Sequence, residues 1–164
     1  MKTRYIQLFE DYTKSMNANR SETDHTWTQV RDSIQMKRPF VIIVFKDKES
    51  QADALTSDIS KYDCIKQSAI INIEGKHSTF PSVFFTLDQD TTFEPMVKSL
   101  YNKFKIDSII TGKTNSEFAQ LYSDDGASVD FGNEIVSTLS PDDFSTDDYF
   151  KVGSTYYRFI NFAS

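Results

Sequence analysis

The sequence predicts a single α/β or α+β domain over residues 1–164, with a mixed β-sheet, about three helices packed on it and a C-terminal β-hairpin region. Two observations lead to this class. Short β-branched and aromatic runs alternate with segments whose apolar residues recur every three or four positions. Aromatic residues make up 14% of the chain, against only 5 Gly and 4 Pro, so the composition is that of a folded domain.

The first helix is predicted over residues 22–36. Trp27, Val30 and Ile34 are spaced three and four apart and so share one helical face. Ser21 is a favourable N-cap, and Pro39 cannot continue a helix. The residues before this helix, 1–20, are expected to form an N-terminal arm.

The run Phe40–Phe45 predicts a strand in the interior of the sheet, because it is apolar throughout rather than alternating with polar residues. A second helix is predicted after it. Asp47 or Ser50 would cap this helix, and its apolar face would consist of Ala52, Leu55, Ile59 and Tyr62.

Residues 68–73 and 82–87 read as two strands that pair as a hairpin across Gly75 and Pro81. Thr91 and Glu94 then resemble a capping box. The helix that it starts would carry an apolar stripe of Phe93, Val97, Leu100, Tyr101 and Phe104, with a further strand at 106–111.

Residues 118–122 and 127–131 flank a turn that ends in Asp125-Gly126, which is a strong hairpin signal. A last aromatic strand is predicted at 155–162. These elements amount to three helices and seven strands, and the remainder of 114–150 is expected to be an acidic hairpin and loop segment.

Charge is distributed unevenly along the chain. Between Lys113 and Lys151 there are nine acidic residues and no Lys or Arg, although the whole chain has a net charge of only −6. The computed pI near 4.9 disfavours direct nucleic-acid binding, since phosphate recognition depends on Lys and Arg. The favoured partner is therefore a protein with a basic surface.

We take ten residues of this segment as candidate partner-binding residues. Three interpretations of the charges stay open: a solvated surface, an imitation of a phosphate array, and contact with some other basic protein surface in which aromatic side chains act as anchors. The candidates are Asp124, Asp125, Asp130, Glu134, Asp142, Asp143, Asp147, Asp148, Tyr149 and Phe150.

One catalytic alternative is a Mg²⁺-dependent nuclease or phosphodiesterase that uses Asp63, Glu74 and Lys76. Two carboxylates can hold the metal while a lysine stabilises the attacking water. A solvated turn explains the same three residues, so an enzyme is the less favoured reading. The sequence otherwise predicts no cofactor and no metal site, because it contains only two histidines and one cysteine, Cys64.

Location is also constrained. A lone cysteine suits a reducing compartment, no apolar segment approaches the length of a membrane helix, and the first residues lack a signal-peptide core. We therefore expect a cytoplasmic protein without membrane association.

Two resemblances bear on origin. The opening sequence MKTRYIQLFEDY resembles the starts of small proteins of T4-like tailed bacteriophages, and residues 66–132 are similar to an uncharacterised α/β family of bacteria and their phages. The first implies a location in the host cytoplasm, and neither implies a known activity.

The expected function is that of a non-enzymatic accessory protein that binds another protein. One such protein would be a phage protein that binds or inhibits a host nucleic-acid-acting protein through its acidic surface. A structural component of the virion is a further alternative.

Overall fold

A computed structural model describes residues 23–46, 55 and 64–161, and a nine-stranded antiparallel sheet dominates them. Two α-helices, α1 (Thr23–Gln35) and α2 (Phe93–Lys103), and a short 3₁₀ helix, Pro141–Phe144, accompany the sheet. The strands are β1 (Phe40–Phe45), β2 (Cys64–Ile73), β3 (Lys76–Thr86), β4 (Ile106–Gly112), β5 (Ala119–Tyr122), β6 (Ser128–Gly132), β7 (Glu134–Thr138), β8 (Tyr149–Val152) and β9 (Thr155–Ile160).

The predicted α/β or α+β class, with three helices on a mixed sheet, is wrong. Strands make up 48% of the described residues, and every pair of neighbouring strands among them is antiparallel. No parallel βαβ crossover therefore exists in the described part of the chain. The helix predicted after β1 lies outside the described residues, except for Leu55, which is buried.

The strand order is β6-β5-β4-β1-β3-β2-β8-β9-β7, so β6 and β7 stand at opposite ends of the sheet. Only Asn133 separates them in the chain. Its backbone N–H donates to the carbonyl of Ile160 at 3.0 Å, and a Cβ on the preceding Gly132 would lie 2.9 Å from that same carbonyl. This close passage curls the sheet into a nearly closed barrel.

Strand β1 is buried at all six positions, as its continuous apolar sequence predicts. It pairs with β3 on one side and with β4 on the other. Phe40, Ile42 and Val44 point to the inner face of the barrel, whereas Val41, Ile43 and Phe45 point to the outer face. The ring of Phe40 covers its partner Gly112, where a Cβ would approach a ring carbon to 2.1 Å.

Helix α1 covers one end of the inner face. Trp27 and Val30 are buried in the same cluster as Phe40, and Ile34 packs against that cluster. The ring of Trp27 lies 5.1 Å from that of Tyr157 on β9. The helix therefore closes the end of the barrel at which β1 begins.

Two smaller cores cover parts of the outer face. Helix α2 places Phe93 and Val97 against Ile43 and Phe45 of β1. On the far side of the barrel, the 3₁₀ helix buries Phe144 with Ile70 and Tyr149. Burial of apolar side chains thereby holds both α2 and the 3₁₀ helix on the sheet.

A chain of buried polar groups crosses the inner face between β9, β2 and β3. The Tyr157 hydroxyl donates to Gln67 Oε1 (2.8 Å), Gln67 Nε2 donates to Ser82 Oγ (3.2 Å), and Ser82 donates to the Ile43 carbonyl (2.7 Å). Burial raises the pKa of Tyr157 far above its ordinary value, so this hydroxyl stays protonated. These hydrogen bonds give partners to buried polar side chains whose burial would otherwise be costly.

Candidate functional site

A cavity of about 640 Å³ lies within the barrel, toward the end of β1 and away from α1. Residues of seven of the nine strands line it. The principal apolar ones are Val44, Ala69, Ile110, Leu121, Phe131 and Phe150.

Small side chains create this space. Val44 has serines as both of its cross-strand neighbours, Ser82 on β3 and Ser108 on β4. Ala69 occupies the centre of β2, between Phe80 and Phe150. At the α1 end the equivalent inward positions are filled by large aromatic rings. The barrel is therefore packed at the α1 end and leaves space at the opposite end.

A β-bulge brings an acidic residue to the mouth of the cavity. Phe45 pairs with Ile106 but Val44 pairs with Ser108, so Asp107 is an extra residue on β4. Bulges of this kind redirect a side chain and are common beside binding sites. Asp107 and Ser108 both line the cavity.

The opposite rim carries Asp148, Arg158 and Asn161. Asp148 Oδ1 accepts the backbone N–H of Asn72 at 2.7 Å. The Arg158 guanidinium donates through Nη1 to the Asp147 carboxylate, while its buried Nε has no hydrogen-bond partner among the described residues. The rim therefore contains two charged side chains, Asp148 and Arg158, that already have partners within the fold. It also contains one donor, Arg158 Nε, that has none among the described residues.

Next to the mouth, Tyr101 of α2 donates its hydroxyl to the carbonyl of Tyr122 at 2.9 Å. Partial burial, followed by the charges of Asp107 and Asp124, raises the pKa of Tyr101 to about 12. Its phenol is accordingly a neutral donor throughout the physiological range.

The first group of predicted partner-binding residues lies at the β5–β6 hairpin. Asp124 and Asp125 are exposed on its turn, Asp130 is exposed on β6, and Glu134 is exposed at the start of β7. Asp125 Oδ1 accepts the Ala127 N–H (2.9 Å) and the Ser123 hydroxyl (2.7 Å), and these bonds hold its pKa below the usual range.

The second group lies between β7 and β8, and the fold uses several of its members internally. Asp143 accepts the Thr138 hydroxyl at 2.5 Å. Asp147 and Asp148 hold Arg158 and Asn72, as described above, and Asp142 is exposed.

The two proposed aromatic anchors, Tyr149 and Phe150, are each only 7% exposed. They form part of the cores, so in this fold their rings are not available to a partner.

The residues of the catalytic alternative are not gathered in a cleft by the described structure. Glu74 and Gly75 form the two-residue turn between β2 and β3, with φ of 52° and 84°, and Lys76 follows them, exposed. Asp63 lies outside the described residues. Within those residues there is no group of three His, Cys, Asp or Glu side chains placed to hold a metal ion.

The part of the chain that the structure describes contains no helix that is long and apolar enough to cross a membrane.

Sequence reasoning did not find the cavity. Its lining residues read as ordinary core, because apolar runs show which residues are buried but not which volume stays unfilled. The available signal was the occurrence of Ala69 and Ser108 within such runs. Comparisons with protein-family models, curated proteins and solved structures find no significant match to this chain.

Proposed function

We propose that this protein is a non-enzymatic binding protein that holds one small, largely apolar ligand in the barrel cavity. The cavity itself is the observation that carries the proposal. Its volume of about 640 Å³ suits a single small molecule. Small barrels that leave inward space unfilled are suited to this kind of ligand.

The distribution of lining groups supports an apolar ligand with one polar end. The interior is formed by aliphatic and aromatic side chains, while Asp107, Ser108, Arg158 and Asn161 lie at the mouth. Burial of apolar ligand surface would supply most of the affinity, at roughly 25 cal/mol per Å². A polar group at the mouth would keep its contact with water.

Binding is favoured over catalysis because two of the charged residues of the rim already have structural partners. Asp148 is held by Asn72, and Arg158 is held by Asp147. No histidine or cysteine is among the described residues that line the cavity, so neither a Ser–His nor a Cys–His pair can be assembled from them.

The test is a titration with the uncharged fluorescent probe N-phenyl-1-naphthylamine. We expect saturable binding of one probe per chain. Ala69→Phe should weaken binding by about tenfold or more, because its ring would occupy the cavity, and such a loss corresponds to ~1.4 kcal/mol.

Ser68→Phe is the matched control. It adds the same ring one residue earlier on β2, on the outer face opposite Lys151, and should leave probe affinity within about twofold. Absence of saturable binding, or equal affinities for the two variants, would overturn the proposal.

A second candidate function is the binding of a protein with a basic surface. It is supported by the exposed carboxylates of Asp124, Asp125 and Asp130 on one hairpin. Neutralising these three residues should weaken such binding and reduce its dependence on salt, which a salt titration of the measured affinity would check.

A further inference from the structure

Strand β6 offers an open edge of the sheet. It pairs with β5 alone, and within the described residues it is the terminal strand of the sheet order. Ser128, Val129 and Asp130 are all exposed. An exposed edge of this kind can pair with another extended chain.

The hydrogen-bond pattern identifies the peptide groups that face outward. The N–H of Ser123 donates to the Ala127 carbonyl at 3.0 Å, so these two residues form a hydrogen-bonded pair at the hairpin turn. Hydrogen-bonded and non-bonded pairs alternate along an antiparallel ladder. Val129, opposite Leu121, is therefore bonded to β5, whereas Ser128 and Asp130 direct their N–H and C=O groups to the open edge.

The two sides of the strand differ in chemistry. Val129 lies on the same side as its partner Leu121, which lines the cavity, and yet Val129 is 61% exposed. On the other side, Asp130 lies opposite Gln120 and accepts its Nε2–H at 2.7 Å. An added strand would meet an apolar side chain at one position and a carboxylate at the next.

The charge beside this edge has one sign among the exposed residues of the hairpin. Asp124 and Asp125 stand on the turn, and Asp130 stands on the strand. Lys98 of α2 lies near the turn, but its ammonium is paired with Glu94 at 3.1 Å. Cross-strand pairs of opposite charge stabilise a sheet, and like charges destabilise it.

We propose that the β6 edge binds an extended polypeptide segment in which basic and apolar residues alternate. Its backbone pairs with the outward groups of Ser128 and Asp130, an apolar side chain covers Val129, and basic side chains lie beside Asp130. This inference concerns the edge and does not rest on ligand binding in the cavity.

A second copy of this chain fits the edge poorly. It would bring its own hairpin aspartates against Asp124, Asp125 and Asp130, so like charges would face each other. We therefore expect no concentration-dependent dimer through this strand. Sedimentation that shows a dimer abolished by Asp130→Lys would overturn the choice of partner.

The test is calorimetric titration of the full chain with the alternating peptide acetyl-Lys-Val-Lys-Val-Lys-Val-Lys-amide, whose two ends are uncharged. A blocked-order peptide, with the four lysines first and the three valines last, keeps the charge but loses the alternation. A Glu-Val peptide of the same pattern reverses the charge. We expect binding of the first peptide, and at least about tenfold weaker binding of both others.

Two variants locate the site. Ser128→Pro removes an outward N–H that the sheet does not use, which an edge strand tolerates, and should abolish binding. Asp130→Asn should weaken binding by roughly threefold to tenfold. Ala69→Phe should leave it within about twofold, so failure at the edge is distinguishable from failure at the cavity.

Hydrogen exchange gives a readout that does not depend on a variant. Peptide binding should slow exchange at the amides of Ser128 and Asp130, whereas the amide of Val129 is already protected by β5. Equal affinity for the alternating and blocked-order peptides, or unchanged exchange at those two amides, would overturn the proposal.

Discussion

The buried Tyr157 hydroxyl supports a quantitative prediction about stability. Tyr157 is fully buried, and its hydroxyl is the donor to Gln67 Oε1 at 2.8 Å. Tyr157→Phe keeps the ring and its packing on Trp27 but leaves the amide oxygen of Gln67 without that donor. A buried polar atom left unsatisfied costs about 1–3 kcal/mol.

We therefore expect Tyr157→Phe to lower the free energy of unfolding by about 2 kcal/mol. For a chain of this length, the same loss lowers Tm by roughly 4–8 °C. Urea titration followed by fluorescence would measure the change, because Trp27 is the only tryptophan and lies against the mutated ring. Tyr156→Phe, one residue earlier and half-buried on the outer face, is the control and should change stability by no more than about 0.5 kcal/mol.

A double-mutant cycle with Gln67→Leu separates the hydrogen bond from packing. Each single variant leaves one buried group unsatisfied, whereas the double variant removes both partners together, so it should cost less than the sum of the two single changes by about 1–2 kcal/mol. Additive costs, or a Tyr157→Phe loss no larger than that of Tyr156→Phe, would refute the reasoning.

Three further predictions follow from the same contacts. Tyr101 should titrate near pH 12 in an absorbance titration. Because its pKa is higher in the folded than in the unfolded state, the stability that it contributes is intact below pH 10 and is lost as the pH rises toward 12. The Tyr101→Phe variant should not show this loss of stability. Asp147→Asn should lower the free energy of unfolding by about 1 kcal/mol in a urea titration, since it breaks a partly exposed ion pair, whereas Asp142→Asn in the same segment should be neutral. Gly112→Ala should cost about 1–3 kcal/mol because of the clash with Phe40, and a Phe40→Leu background should reduce that cost in the same assay.

The sequence predicted individual elements better than the way they assemble. Trp27, Val30 and Ile34 predicted an end of α1 that lies within one residue of the observed end at Gln35, and the apolar run of β1 identified an interior strand. These signals are local, because periodicity and apolar composition report the faces that each element must bury. They do not determine whether neighbouring strands run parallel or antiparallel, which is why the predicted fold class was wrong.

Strands β7 and β8 were missed for a related reason. They are five and four residues long, and both lie in the acidic stretch that read as loop. Their pairing with β9 and β2 is a tertiary effect that overrides weak local preference. Tyr149 and Phe150 consequently read as surface anchors, although β8 carries them into two different cores.

The candidate site was also predicted only where the signal is local. Charge counting located the acidic residues but did not show that Asp143, Asp147 and Asp148 make hydrogen bonds or an ion pair within the fold. The cavity depends on which small residues meet across strands, such as Val44 between two serines, and pairing register is not encoded in any single segment.

The single-residue link at Asn133 ties together two pairings that are otherwise remote in the sheet. A shift of β7 by one residue along β9 would pull β6 by one residue along β5, and each shift would turn inward side chains outward. The two registers must therefore be correct at the same time.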